Sequence, residues 1–189
     1  MTRILCSWIG GADWDSLSPD EKEPGPINRT IEDPHWNTVD EIHLLNNYES
    51  KADEFKKALS SKTKAKIVCK DVKLSSPTNF EEVEKAASQL LKTLPASAEL
   101  ILLCSPGTWV MSSCFVLQQH NAYPTARLLE ASKEAGVVEI KVPFDISVPY
   151  IIERIDAERR AATGNRRDYV LEFEQMKHDC QSMRDAIKR

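Results

Sequence analysis

A chain of 189 residues is ample for one domain with a short appendage. Its 41% hydrophobic and 29% charged residues are ordinary for a globular protein, and no apolar run approaches the roughly 20 residues that a membrane-spanning helix needs. The formal net charge of −4 argues against a broad basic surface for non-specific nucleic-acid binding, so an anionic ligand must be held by a local pocket.

The amino terminus carries only Arg3 ahead of a short apolar run and does not read as a signal peptide. Cys6, Cys69, Cys104, Cys114 and Cys180 are scattered and mostly lie in apolar segments, which fits reduced core thiols of a cytoplasmic protein better than disulfides. His35, His43, His120 and His178 show no metal-ligand spacing with one another or with the cysteines. Neither a metal nor a resident cofactor is expected.

Ile4 to Ile9 reads as a first strand ending at Gly10-Gly11, a pair that permits close backbone approach to a ligand. Residues 12–25, ADWDSLSPDEKEPG, are polar, acidic and proline-bearing, and read as a surface excursion. Trp14 within them can fold over a pocket or pack on a neighbouring helix. Pro26 opens a helical or irregular segment through about Trp36, and Asp40 to Asn46 reads as a second strand. Asn46, Asn47 and Tyr48 stand at its carboxyl end, where open α/β sheets present ligand contacts. Ser50 to Leu59 is an amphipathic helix, Lys64 to Val72 a third strand, and Phe80 to Leu94 a helix with Asn79 as its N-cap. Pro95 stops it.

The stretch from Glu99 to Gln119 organises the rest. Leu100 to Cys104 is a continuous apolar run suited to a strand covered on both faces. Ser105-Pro106-Gly107-Thr108 cannot continue it, and Val110, Met111, Cys114 and Phe115 then fall on one stripe of a helix. The first amides of such a helix lack intrahelical partners and form a seat for phosphate. On this reading Gly107 allows close approach, the hydroxyls of Ser105 and Thr108 donate, and Trp109 offers a face to a base. The alternative is a plain turn in which Thr108 caps its own helix. No Gly-Lys-Ser/Thr follows, so this is not a P-loop. Ala126 to Leu129 is a fifth strand and Val137 to Val142 a sixth, antiparallel across a short connection at Gly136. Arg127 can face the ligand or pair with Glu139.

The order predicts an α/β fold: a Rossmann-like, mostly parallel sheet of about six strands with helices on both faces and an edge hairpin. Beyond Pro149 the chain reads as charged helices, and Val170, Phe173, Met176, Cys180, Met183 and Ile187 form a stripe that needs a partner. The expected organisation is a ligand-sensing domain over 1–148 and a helical linker or dimerisation segment over 149–189.

The run LILLCSPGTWVMSSCFVLQQHNAYPTARLLE (100–130), with Glu81-Glu82-Val83 before it, resembles the CARF domain. It is most similar to the amino-terminal sensor of RtcR-type transcriptional regulators, which govern RNA-repair operons. Ser105, Gly107 and Thr108 match that family's small-hydroxyl-Gly-Thr turn, and Tyr123, Ala126, Arg127 and Leu128 its later motif. Cys6 to Gly11 matches its first strand and ligand-facing loop; Pro106 and Trp109 depart from the pattern. Residues 178–189 resemble the lead-in to the AAA+ domain of enhancer-binding activators.

The resemblance implies a homodimeric sensor that binds a cyclic oligoadenylate, or an RNA end with a cyclic phosphate, and controls a downstream AAA+ ATPase. The ligand-binding residues expected are Ser7, Trp8, Gly10, Gly11, Asn46, Asn47, Ser105, Pro106, Gly107, Thr108 and Trp109, with Trp8 and Trp109 available to stack on bases. No catalytic residue is assigned. The alternative is a ring nuclease that cuts its own cyclic ligand. A nicotinamide-type Rossmann protein is disfavoured, because neither GxGxxG nor a ribose-binding acid follows the first strand in register.

Overall fold

The computed structural model describes residues 1–17, 23–48 and 52–142. In chain order its elements are β1 (Arg3–Trp8), α1 (Gly11–Asp15), α2 (Pro26–Glu32), β2 (Glu41–Asn46), α3 (Ala52–Ser60), β3 (Lys66–Asp71), α4 (Phe80–Lys92), β4 (Glu99–Leu103), α5 (Trp109–Asn121), β5 (Arg127–Ser132) and β6 (Gly136–Ile140). The chain divides between Pro143 and Phe144; the helices expected over 149–189 lie outside the described residues.

The six strands form one sheet in the order β3-β2-β1-β4-β5-β6. All neighbours are parallel except β5 and β6, whose connection is too short for a crossover and gives the expected antiparallel hairpin. Successive side chains of a strand point to opposite faces, and both faces here are covered. Ile4, Cys6 and Trp8 of β1 join Leu102 and Leu128 against Val83 and Leu91 of α4 and Met111 and Phe115 of α5. Leu5 and Ile9 join Ile42, Leu44, Ile101, Leu103 and Leu129 against Ile27 and Ile31 of α2 and Phe55 and Leu59 of α3. This double covering explains why β1 and β4 read as continuous apolar runs. Among the described residues no helix is long and apolar enough to cross a membrane.

Local chemistry sets the element ends. Asn79 caps α4 by accepting the Glu82 amide at 3.3 Å, and Pro26 opens α2 at a position where its missing N–H costs nothing. Arg127 resolves in favour of the ion pair: its Nε and Nη2 donate to the two Glu139 oxygens at 2.9 and 2.8 Å, and its guanidinium lies 4.4 Å over the Trp36 ring. Those hydrogen bonds hold the Glu139 carboxyl below the usual carboxylate range. Burial pushes the thiols of Cys6 and Cys104 up to about 12, so they are inert core groups.

The reading of residues 12–25 as a surface excursion holds at Ala12, Asp15 and Glu23, which are exposed, and needs correction at Asp13. Gly11 to Asp15 is a short helix, and Asp13 is completely buried. Its Oδ2 accepts the Gly10 amide at 3.0 Å and its Oδ1 accepts the Ile27 amide at 2.9 Å, so one carboxylate ties the end of β1 to the start of α2. Asp13 stands three residues after Gly10, the spacing at which an acidic side chain reaches back to a helix start. Trp14 takes the packing alternative, edge-on to Phe55 of α3 at 5.3 Å between ring centroids.

Burial raises the Asp13 carboxyl to about 6 from an ordinary 3.8, against the opposing pull of its two amide donors. A raised folded-state value means that the associated stability is complete below about pH 4 and is lost as pH rises through 6, by on the order of 3 kcal/mol. Urea unfolding from pH 4 to pH 7 is expected to show this loss in the native chain relative to Asp13→Asn, whose side chain cannot ionise. A parallel pH response in the two proteins removes Asp13 as the linked group.

Candidate ligand-binding site

Strand order runs outward from β1 towards β2 and β3, and from β4 towards β5 and β6. The carboxyl ends of β1 and β4 therefore flank the switch point, where open α/β sheets leave a crevice. β1 runs out into Gly10-Gly11 and β4 into Ser105-Pro106-Gly107-Thr108. These two turns are in contact: a Cβ on Gly10 would stand 2.7 Å from the Gly107 nitrogen and 3.2 Å from the Pro106 Cα. Any side chain at Gly10 would push them apart.

The second turn is built around Gly107, whose φ of +88° is the left-handed conformation that glycine adopts without penalty. Its bare Cα also makes room for the Met111 sulfur, which accepts the Thr108 amide at 3.4 Å. Thr108 is the N-cap of α5: its Oγ1 accepts the Met111 amide at 3.4 Å and donates to the Pro77 carbonyl at 2.8 Å. The Ser112 hydroxyl donates to the Cys104 carbonyl and anchors the first turn of α5 to the end of β4. At the head of this 13-residue helix the amides of Trp109 and Val110 have no intrahelical acceptor and share the positive end of its dipole.

The expected site residues fall into two layers. Gly11, Gly107 and Trp109 are exposed, with Trp109 at 70%, and Asn47, Ser105 and Thr108 are half-buried around them. Ser7, Trp8, Gly10, Asn46 and Pro106 are buried beneath. Trp8 is the clearest correction: at 1% exposure its ring lies in the core with Met111 and Val110 and presents no face for stacking. Its place follows from strand alternation, two residues on from Cys6 on the same buried face. Ser7 donates to the Trp8 carbonyl at 2.9 Å. The Asn46 amide group donates to the Tyr48 carbonyl at 2.8 Å and to Asp71 Oδ1 at 2.7 Å, and its oxygen accepts the Tyr48 amide at 3.1 Å. It shapes the loop after β2 rather than reading a base.

The hydroxyls also separate. The Thr108 proton is committed to Pro77, which corrects its expected role as a phosphate donor and favours the capping alternative. Ser105 accepts the Ala131 amide through its oxygen and retains its own proton to donate. Tyr48, noted at the end of the second strand but not chosen as a site residue, belongs to the upper layer. It is 40% exposed, its hydroxyl lies 3.5 Å from where a Cβ on Gly11 would be, and its ring stands edge-on to Trp14 at 6.0 Å. The signal was the exposed aromatic at a strand's carboxyl end. Together the upper layer offers amide donors, a hydroxyl and two aromatic faces without a fixed positive charge, a set suited to phosphodiester oxygens and bases.

Gly10→Ala is expected to destabilise the chain by about 1–3 kcal/mol, because the added methyl meets backbone rather than a movable side chain. Denaturant unfolding measures it; a neutral substitution contradicts the contact between the turns.

No family model matches the chain, and no curated protein does. Among solved structures the chain is similar to "Enterococcus italicus Csm6 bound to cyclic hexa-2'-fluoro-hexa-dAMP", with a TM-score of 0.58 and 18% identity. The match covers 86% of this chain and 39% of that one, so the chain spans about two-fifths of Csm6. At that identity the likeness is one of fold. The six-stranded Rossmann-like architecture that the CARF resemblance implies is the fold of this chain.

Proposed function

We propose that the chain is a regulatory sensor domain whose ligand is a small nucleic acid, a cyclic oligoadenylate or an RNA end with a cyclic phosphate, bound over the carboxyl ends of β1 and β4. The observation that carries this reading is the contact of Gly10 with Pro106 and Gly107 at the switch point. It brings the amides of two turns and the head of α5 to one place. Gly11, Ser105, Gly107 and the Trp109 and Val110 amides hold the phosphates, and Trp109 and Tyr48 supply stacking surface. Ser7, Trp8, Asn46, Pro106 and Thr108 hold those groups in place from below, and Asn47 borders the site. A cyclic hexanucleotide analogue in the Csm6 structure, whose fold this chain shares, supports the same ligand class.

A ring of repeating phosphodiesters has rotational symmetry, and a homodimer that brings two copies of the crevice together would grip it twice. Transmission then requires that the occupied site favour one dimer arrangement over another, since a ligand shifts an equilibrium only by its differential affinity. Residues 149–189 are the candidate transmitter in this account, and a transcription-activator ATPase of the AAA+ type is the candidate receiver.

Titration calorimetry with cyclic tetra- and hexaadenylate, beside RNA oligomers ending in 2′,3′-cyclic phosphate, is expected to give saturable binding for one class. Trp109→Ala should weaken it by roughly ten- to a hundredfold, the worth of one stacked base. It should leave the melting temperature unchanged, because the indole packs on little of its own chain. Absence of binding to every member of the panel, or an unaltered Trp109→Ala titration, contradicts the reading. Mass spectrometry of the recovered ligand decides whether the ring survives; linear products assign ring-nuclease activity instead.

A further inference from the structure

Beside the crevice, on the β5 side, lies a second concavity of about 390 Å³. Its walls include Ala12 and Asp15 of α1, Arg29 of α2, and Ala131 to Lys133 at the end of β5 and the start of the hairpin turn. Two of its lining residues are linked to the turns of the candidate site. Ala12 follows Gly11 directly, and the Ala131 amide donates to Ser105.

Two cations face this cleft, and one carboxylate of the chain lies between them. Glu23 Oε1 is 3.0 Å from the Lys133 ammonium, and Glu23 Oε2 is 3.6 Å from Arg29 Nη2. Arg29 Nη2 also donates to the Pro24 carbonyl at 3.1 Å, which holds the guanidinium against the wall. The side chains of Glu23 and Lys133 are half or more exposed, at 50% and 66%, whereas Arg29 is at 22%. A carboxylate held between a guanidinium and an ammonium marks a place where the oxygens of an anion meet two cations. Exposed ion pairs of this kind contribute little stability, so another anion can displace the bridge. Asp15 is the other carboxylate on the rim. Among the described residues Arg29 and Lys133 share the lining with Asp15, and Glu134 also acts on Lys133.

We propose that this cleft is a phosphate subsite, gripped by Arg29 and Lys133, in which Glu23 is a built-in competitor that the incoming phosphate replaces. In relation to the proposed function, on which this extension rests, the cleft takes a phosphate of the nucleotide ligand that projects beyond the crevice. The competitor makes binding selective: a group must place oxygens on Arg29 and Lys133 together to exchange with it. It also places a ligand-dependent displacement next to α2, whose start Asp13 ties to the Gly10 turn.

The test begins with inorganic pyrophosphate alone, followed by thermal shift at low, matched ionic strength. Saturable stabilisation of the native chain is expected. Glu23→Gln should bind roughly three- to tenfold tighter, because two exposed pairs no longer compete, and Lys133→Met should lose most of the response. Arg29→Met is the second arm, and circular dichroism verifies its fold. Equal responses across the native chain, Glu23→Gln and Lys133→Met, or the same shift with sodium chloride, overturn the subsite. Repeating Lys133→Met with cyclic hexaadenylate identifies the source of the phosphate: lost affinity assigns it to the nucleotide ligand, and unchanged affinity to a free anion. If the oligoadenylates do not bind at all, the sensor reading fails while the pyrophosphate result still decides the cleft.

Discussion

The close approach of the Gly10 turn to Gly107 is the constraint on which the rest of the molecule depends. Parallel pairing of β1 with β4 brings the two strand ends side by side, but pairing alone would leave room for side chains between the turns. Glycine at position 10 removes that room, and glycine at 107 supplies the left-handed backbone that turns the chain into α5. Everything buried around them maintains the approach. Asp13 fixes the first turn through the Gly10 amide, Thr108 and Ser112 fix the second, and Trp8 fills the space below.

This arrangement relates energy to function in a particular way. Gly10, Ser105 and Thr108 commit polar groups to the scaffold, so the turns are held in place before a ligand arrives. Asp13 illustrates the cost. A fully buried carboxylate is unfavourable in its charged form, yet here it orders the starts of two helices that otherwise lack partners at those amides. Preorganised amides at the head of α5 lose little freedom on binding. That suits a chain of net negative charge, whose global field repels nucleic acid and whose affinity must be local.

Much of the architecture was legible from residue order. The alternation of apolar runs and amphipathic helices predicted the sheet, its edge hairpin and the adjacency of the two turns, because period and punctuation are local properties of the chain. The Arg127–Glu139 pair was legible as an alternative, since both residues lie on strands expected to be neighbours. The division of the site into layers was not. Trp8 reads as a stacking residue only while its direction is unknown, and the register that turns it inward is set by partners far away in sequence. Asp13 sits in a stretch whose composition signals solvent. Its burial depends on α2 closing over it, which no local pattern encodes beyond the Gly10–Asp13 spacing. Likewise Glu23 stands among acidic residues that read as a solvated run, and only the fold shows it between Arg29 and Lys133.

The central claim is that these touching turns are where the ligand sits. Amide chemical shifts of a uniformly 15N-labelled chain, followed during titration with cyclic hexaadenylate, test it most directly. The account predicts saturating shifts at Gly11, Gly107, Trp109 and Val110, with the distant amides of β6 unmoved. Saturating shifts that leave all four of those amides in place, and cluster elsewhere on the chain, would contradict it.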